Sequence, residues 1–184
     1  MPVPLSIIYV VFCLIAKKLH ILISRGGVMK KSNLFYIGML ILPWLTVPFL
    51  GRKSFKKYLP AAIFISTVTK AIDLYGEKKK WWKFYKGVAP FESMDFFNFG
   101  PYFVTSLWIL KWTYGKFPLY LISNIILHVC FIFLGGVTFV GRYKIFTLNK
   151  LNKFKYLAVD FVRALLLYGF QFINNSSQNT KNKS

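Results

Sequence analysis

The chain has 184 residues, 55% of them hydrophobic and 20% aromatic, with a mean hydropathy of +0.47, which is too apolar for a soluble domain of this length. A formal charge of +20, from 25 Lys and Arg against 5 Asp and Glu, raises a nucleic-acid partner as one reading. The arrangement excludes it: the basic residues cluster between apolar runs, as in the loops of a membrane protein, and no zinc, helix-turn-helix or single-strand-binding motif accompanies them. The expected fold class is therefore all-α, a polytopic transmembrane helical bundle of five or six spans.

The first apolar segment, about 3–23, opens with MPVPLSIIYVVFCLIA, which has no basic n-region and no small-residue cleavage site, and reads as a retained membrane segment. Lys17, Lys18 and His20 interrupt it, so its crossing requires snorkelling or a shallow tilt. The second span, 34–50, carries Pro43 and Pro48, which kink a spanning helix without excluding it. A basic link, GRKSFKKY, leads to the third span at 59–75. Residues 88–100, VAPFESMDFFNFG, read as an irregular interfacial loop because of Pro90, Gly100-Pro101 and their mixed polarity. The fourth span covers 99–114, the fifth 117–140 and the sixth 156–173. These six form one membrane domain over 1–173, followed by a polar tail at 174–184 that is expected to be disordered.

Between the third and fourth spans lies EKKKWWKFYK, residues 77–86. As a helix of ~100° per residue it places Trp81, Trp82, Phe84 and Tyr85 on one arc and Lys79, Lys80, Lys83 and Lys86 opposite. Such a segment suits a membrane surface, with rings at headgroup depth and each lysine contributing about 1 kcal/mol against anionic lipid. The expected interfacial element is this amphipathic helix, and anionic headgroups are its expected partner.

Comparison of basic residues across the five connections puts the first, third and fifth on the cytoplasmic side and both termini outside. Lys70 and Asp73 in the third span, and Asp160 and Arg163 in the sixth, then lie at similar depth. Each pair is three residues apart and shares a helix face. The two pairs either meet across the bundle in a polar cluster or neutralise locally and snorkel, the second being the more economical reading. Asn124 and His128, one turn apart in the fifth span, form a polar face that serves either as interhelical packing or as a solute contact.

Catalytic signatures are absent. There is no H-E-x-x-H, no G-x-S-x-G and no aspartate-rich phosphotransferase pattern, and two histidines leave few general bases. Neither a catalytic residue nor a metal ligand is assigned, no cofactor is expected, and Cys13 and Cys130 read as small apolar residues within their runs.

The stretches PWLTVPFLGRKSFKKYLPA, KKKWWKFY and GPYFVTSLWILKWTYGKF, spanning about 43–116, resemble uncharacterised small multi-pass membrane proteins of Bacillus and related spore-forming Firmicutes. The resemblance implies a bacterial cell membrane and a similar helical architecture, and carries over no functional residue. The function expected is that of a non-enzymatic membrane protein that packs with a membrane-protein partner or a second copy of itself, or engages anionic lipid. The alternative is a small transporter or channel component whose path is lined by the intramembrane polar residues.

Overall fold

The structure, a computed structural model, describes residues 31–85, 92–133, 138, 141–142 and 146–181. The expected first span, 3–23, lies outside the described residues, as do Lys86 and most of 134–145. Within the described residues the architecture is helical, with one small sheet, in agreement with the all-α expectation.

Helix α1, Lys31–Trp44, and the short α2, Val47–Leu50, are separated by a break at the first proline. Pro43 sits in the last turn of α1, Pro48 in the first turn of α2, and Thr46 Oγ1 donates to the Pro43 carbonyl at 2.6 Å. The chain reverses at Gly51, whose φ of 81° is reached readily only without a Cβ. Helix α3 then runs unbroken over Arg52–Lys78, 27 residues and about 40 Å at 1.5 Å per residue.

The end of α3 overturns the expected amphipathic helix at 77–86. Lys80 takes a positive φ of 58°, its N–H bonds the Glu77 carbonyl at 2.9 Å, and the Trp81 N–H bonds the Gly76 carbonyl at 2.9 Å. These paired bonds close a helix in the Schellman manner, with lysine where glycine is usual. The chain emerges as strand β1, Trp82–Phe84, paired antiparallel with β2, Phe146–Leu148, in the register Trp82 to Leu148 and Phe84 to Phe146. Alternation in a strand sends Trp82 and Lys83 to opposite faces, but Lys83 Nζ lies over the Tyr85 ring, 5.4 Å from its centroid, so the aromatic and basic residues do not separate.

The stretch read as an irregular loop before the fourth span is helical from Ser93. Helix α4, Ser93–Phe97, starts with a capping box between Glu92 and Asp95, passes through a π-helical turn at Asn98–Tyr102, and continues as α5, Phe103–Thr113. Pro101 supplies no N–H for the α-ladder, and the Phe103 N–H reaches back to the Asn98 carbonyl, widening the turn. Gly100 lets this turn lie directly against α1, since a Cβ there would meet the Met39 carbonyl.

Helix α6 covers Phe117–Phe133 and α7 covers Lys153–Lys181. The last helix continues into the tail expected to lack structure, where Ser176 and Ser177 bond back to the Phe172 and Ile173 carbonyls. Helices α3 and α7 pack antiparallel: Asp73 meets Arg163 near one end, and Phe64 stacks on Phe170 towards the other with ring centroids 4.2 Å apart. Because β1 follows α3 and β2 precedes α7, the third and fifth connections share one end of the bundle.

Two packed clusters result. One, around Ile65, Leu107, Leu110, Tyr120 and Leu167, lies away from the sheet; the other, around Tyr36, Trp82, Phe96, Phe146 and Tyr156, includes the sheet. The outward surface keeps large apolar side chains, among them Phe49, Ile63, Ile122, Ile126, Leu166 and Phe172. Among the described residues one helix, over Lys153–Ser177, is long and apolar enough to cross a membrane, and two shorter apolar helices cover Phe35–Leu50 and Phe117–Phe133.

Candidate functional site

The antiparallel packing of α3 and α7 brings Asp73 within reach of Asp160 and Arg163. Arg163 Nη2 donates to Asp73 Oδ1 at 2.6 Å, and Nη1 donates to Asp160 Oδ1 at 3.2 Å. One guanidinium thus bridges two carboxylates from different helices, a use of its planar fork that a lysine ammonium could not reproduce. All three side chains are buried, at 3–4% exposure. His128 of α6 joins from the other side, its Nδ1 3.2 Å from Asp160 Oδ2.

The second oxygen of Asp73 is also satisfied. Asn98, in the π-helical turn, donates from Nδ2 to Asp73 Oδ2 at 3.1 Å. Trp82 holds the same residue by its backbone: the indole Nε1 donates to the Asp73 carbonyl at 3.1 Å, and the Arg163 guanidinium lies 5.9 Å from the Trp82 ring centroid. Trp82 fits because position 76 is glycine, where a Cβ would overlap the indole. Nearby, Thr69 Oγ1 donates to Tyr102 Oη at 3.2 Å.

These groups border a cavity of about 170 Å³. Asp73, Asn98, Asn124, His128, Asp160 and Arg163 contribute its polar wall, while Phe84, Phe97, Phe131, Phe146 and Tyr156 make much of the remainder. The Arg163 Nε–H has no protein acceptor among the described residues, although the side chain is only 4% exposed. A buried donor without a partner, on a cavity large enough for several waters, marks a place where water or a ligand atom completes the bonding. Among the described residues no group of three or more His, Cys, Asp and Glu is placed to hold a metal ion.

Of the intramembrane polar residues expected from sequence, Asp73, Asn124, His128, Asp160 and Arg163 line this one cavity. Asn124 spends its amide on its own helix, donating to the Tyr120 carbonyl at 2.8 Å. Lys70 does not join them. Its Nζ lies 2.6 Å from Asp95 Oδ1 and its side chain is 41% exposed, because its long stem turns towards α4. The local-neutralisation reading therefore fails for the α3 pair: Lys70 and Asp73 share a face but take partners on different elements.

The lipid-interface assignment needs a matching correction. Trp82 is 1% exposed and belongs to the core, so its ring is not available to a surface, and the half-buried Phe84 lines the cavity. Trp81 and Tyr85 are half-buried, Lys79, Lys80 and Lys83 are exposed, and Lys86 lies outside the described residues. Asn98, Tyr102 and Tyr156 were not anticipated. The signal for Asn98 was its isolation as a lone amide in the aromatic run FFNF ahead of Gly100-Pro101.

No protein-family model, curated protein or solved structure matches the chain.

Proposed function

We propose that the chain is an integral membrane protein, of a bacterial cell membrane as the resemblance implies, and that its helices enclose a solute site belonging to a small transporter or channel component. The observation that carries this reading is a cavity on which charged and amide side chains from α3, the π-helical turn, α6 and α7 converge. A mostly apolar cavity with a few convergent polar groups is the usual form of a small-molecule site. Ionisable residues inside a membrane are expensive, and facing a shared interior cavity is the arrangement that marks a solute or ion pathway. Large apolar side chains turned outward on α3, α6 and α7 support the membrane placement. Helix α3 is more charged than a typical span, but Asp73 and Lys70 are paired within the protein, which lowers the cost of burying them. Nothing in the site resembles a nucleophile with its base, and the reading is non-enzymatic.

Cysteine accessibility in membranes tests it, on a background with Cys13 and Cys130 replaced by serine. Thr105→Cys, on the cavity wall, is expected to react with a charged, membrane-impermeant thiol reagent, whereas Ile122→Cys and Leu166→Cys, on the outward faces, remain unmodified. Equal modification of all three would refute the membrane placement, and an unreactive Thr105→Cys would refute a water-accessible cavity.

A second role, engagement of anionic lipid, is favoured by one feature: Lys78, Lys79, Lys80 and Lys83 are all exposed at the sheet end of the bundle. It accompanies the first reading and does not compete with it.

A further inference from the structure

We infer that the cavity binds a small uncharged solute, one that offers a carbonyl oxygen to Arg163 Nε–H and a flat apolar body about the size of a benzene ring to the aromatic wall. The inference rests on the solute-site reading above and names the class of solute.

Its first support is the inventory of polar atoms. Asp73 Oδ1 accepts from Arg163 Nη2 at 2.6 Å, and Oδ2 accepts from Asn98 Nδ2 at 3.1 Å. Asp160 Oδ1 accepts from Arg163 Nη1 at 3.2 Å, and its Oδ2 lies 3.2 Å from His128 Nδ1. Every carboxylate oxygen of the cluster thus has a partner, and both terminal nitrogens of the guanidinium are committed. Nε–H is the donor left over, with no acceptor among the described residues, on a side chain that is 4% exposed and lines the cavity. Leaving a buried donor bare is costly, and a solute oxygen that accepts its bond removes that cost. A solute donor, in contrast, would have to share a carboxylate oxygen already bonded. A carbonyl accepts without bringing a proton that needs a partner of its own.

Its second support is charge. One carboxylate suffices to match the guanidinium, and Arg163 has two within hydrogen-bond distance. An anion at Nε–H would therefore add a negative charge where no positive charge is free to meet it, in surroundings that penalise an unpaired ion. A cation would leave the donor unbonded. The cluster lacks an acceptor atom and not a charge, so the solute that completes it is uncharged.

Its third support is the wall. Phe84, Phe97, Phe131 and Phe146 border the same cavity, and they give an apolar body surface to bury while the one polar contact fixes its orientation. A volume of about 170 Å³ is close to that of an apolar cavity known to hold benzene, roughly 150 Å³. Water is the weaker occupant beside these rings, because a buried water asks for about two to four polar partners and a carbonyl oxygen is served by one.

Calorimetric titration of the full chain in nanodiscs of uncharged lipid tests the inference, with empty nanodiscs as the blank. The probes are acetophenone, isopropenylbenzene and sodium benzoate. The second replaces the carbonyl oxygen of the first by a methylene of similar size, and the third keeps an acceptor and adds a negative charge. Acetophenone is expected to bind at least about tenfold more tightly than isopropenylbenzene, the discrimination expected of a hydrogen bond to a charged group, and benzoate not at all. A second measurement reads the donor itself. With Arg25→Lys, Arg52→Lys and Arg142→Lys, Arg163 supplies the only arginine Nε–H of the chain, and isotope-labelled arginine gives it a resonance of its own. That proton resonance should move downfield with acetophenone and stay in place with isopropenylbenzene; should the lysine variant fail to fold, the ranking of probes on the unmodified chain decides the matter. Equal binding of acetophenone and isopropenylbenzene would overturn the carbonyl while leaving the solute site standing. Benzoate bound as tightly as acetophenone would overturn the uncharged class. Acetophenone binding that leaves the Arg163 resonance unmoved would overturn Nε–H as its partner. Absence of binding by all three, with Thr105→Cys still reactive, would leave water as the sole occupant and overturn this inference alone; with Thr105→Cys also unreactive, the solute site falls with it.

Discussion

Arg163 Nη2 and Asp73 Oδ1 lie 2.6 Å apart although ninety positions separate them in the chain. The pair joins α3 to α7 at the end of the bundle that carries the sheet, and it brings the charges of both helices to one cavity. Its stabilising role follows from what each partner would leave behind. Removing the arginine would strand two buried carboxylates, whereas neutralising one aspartate would leave a balanced pair.

The first prediction is therefore an order. Arg163→Met should be the most damaging change in the cluster, costing about 3–5 kcal/mol, the range for breaking a buried ion pair from one side. Asp73→Asn and Asp160→Asn should cost less, about 1.5–3 kcal/mol for a lost hydrogen bond to a charged group. Arg163→Lys should behave closer to Met than to Arg, since one ammonium cannot fork between carboxylates on two helices. Thermal unfolding of the purified variants in one detergent measures this, and an aspartate variant less stable than Arg163→Met would contradict the charge count.

Gly76 and Trp82 make a second, independent test. A Cβ at position 76 would overlap the indole, whose Nε1 is bonded to the Asp73 carbonyl. Gly76→Ala should displace the ring and cost on the order of 2 kcal/mol or more, within the range for overpacking a core. In the Trp82→Leu background the same glycine change should be nearly free, because the smaller side chain vacates the space. The coupling read from the four unfolding curves should reach about 1 kcal/mol or more, as contacting residues commonly show. Simple additivity would mean that the two positions do not touch.

These two pairs also mark how far sequence reasoning reached. Proximity to one end of the bundle was legible: the third and fifth connections share that end, and Asp73, Asp160 and Arg163 lie close to it. Partner choice was not. Lys70 and Asp73 share a helix face, and only the position of α4, set by the π-helical turn at Pro101, sends Lys70 to Asp95 and leaves Asp73 for Arg163. The basic aromatic stretch misled for a related reason. Its spacing fits a helix, but Lys80 closes α3 in a conformation usually given to glycine, and the strand that follows pairs with residues far along the chain. Neither a left-handed lysine nor a non-local strand partner leaves a periodic signature.

Lys80 supplies the third prediction. Its φ of 58° places a Cβ-bearing residue where glycine is preferred, and its backbone N–H remains bonded to the Glu77 carbonyl. Lys80→Gly should raise stability by about 0.5–1 kcal/mol, the strain relieved less the added freedom of the unfolded chain. Lys80→Val should lower it, since a β-branched residue tolerates that conformation least. A glycine variant that unfolds below the parent temperature would rule out the closing turn drawn here.

The fourth prediction separates the exposed lysines from the buried ring beside them. Lys79 and Lys83 face outward, whereas Trp82 is 1% exposed, so a lipid contribution from this region rests on ammonium groups and not on a sunken indole. In nanodiscs containing anionic lipid, replacing Lys79 and Lys83 with Gln should remove roughly 1 kcal/mol per lysine of the stabilisation that the anionic lipid confers. In uncharged nanodiscs the same variant should unfold like the parent. Raising ionic strength towards 1 M, where the Debye length falls to about 3 Å, should erase the difference in the anionic nanodiscs, because the charges sit in water. A loss of stability of equal size in both lipids would show that the two side chains support the fold, and the lipid role would then have no basis in this surface.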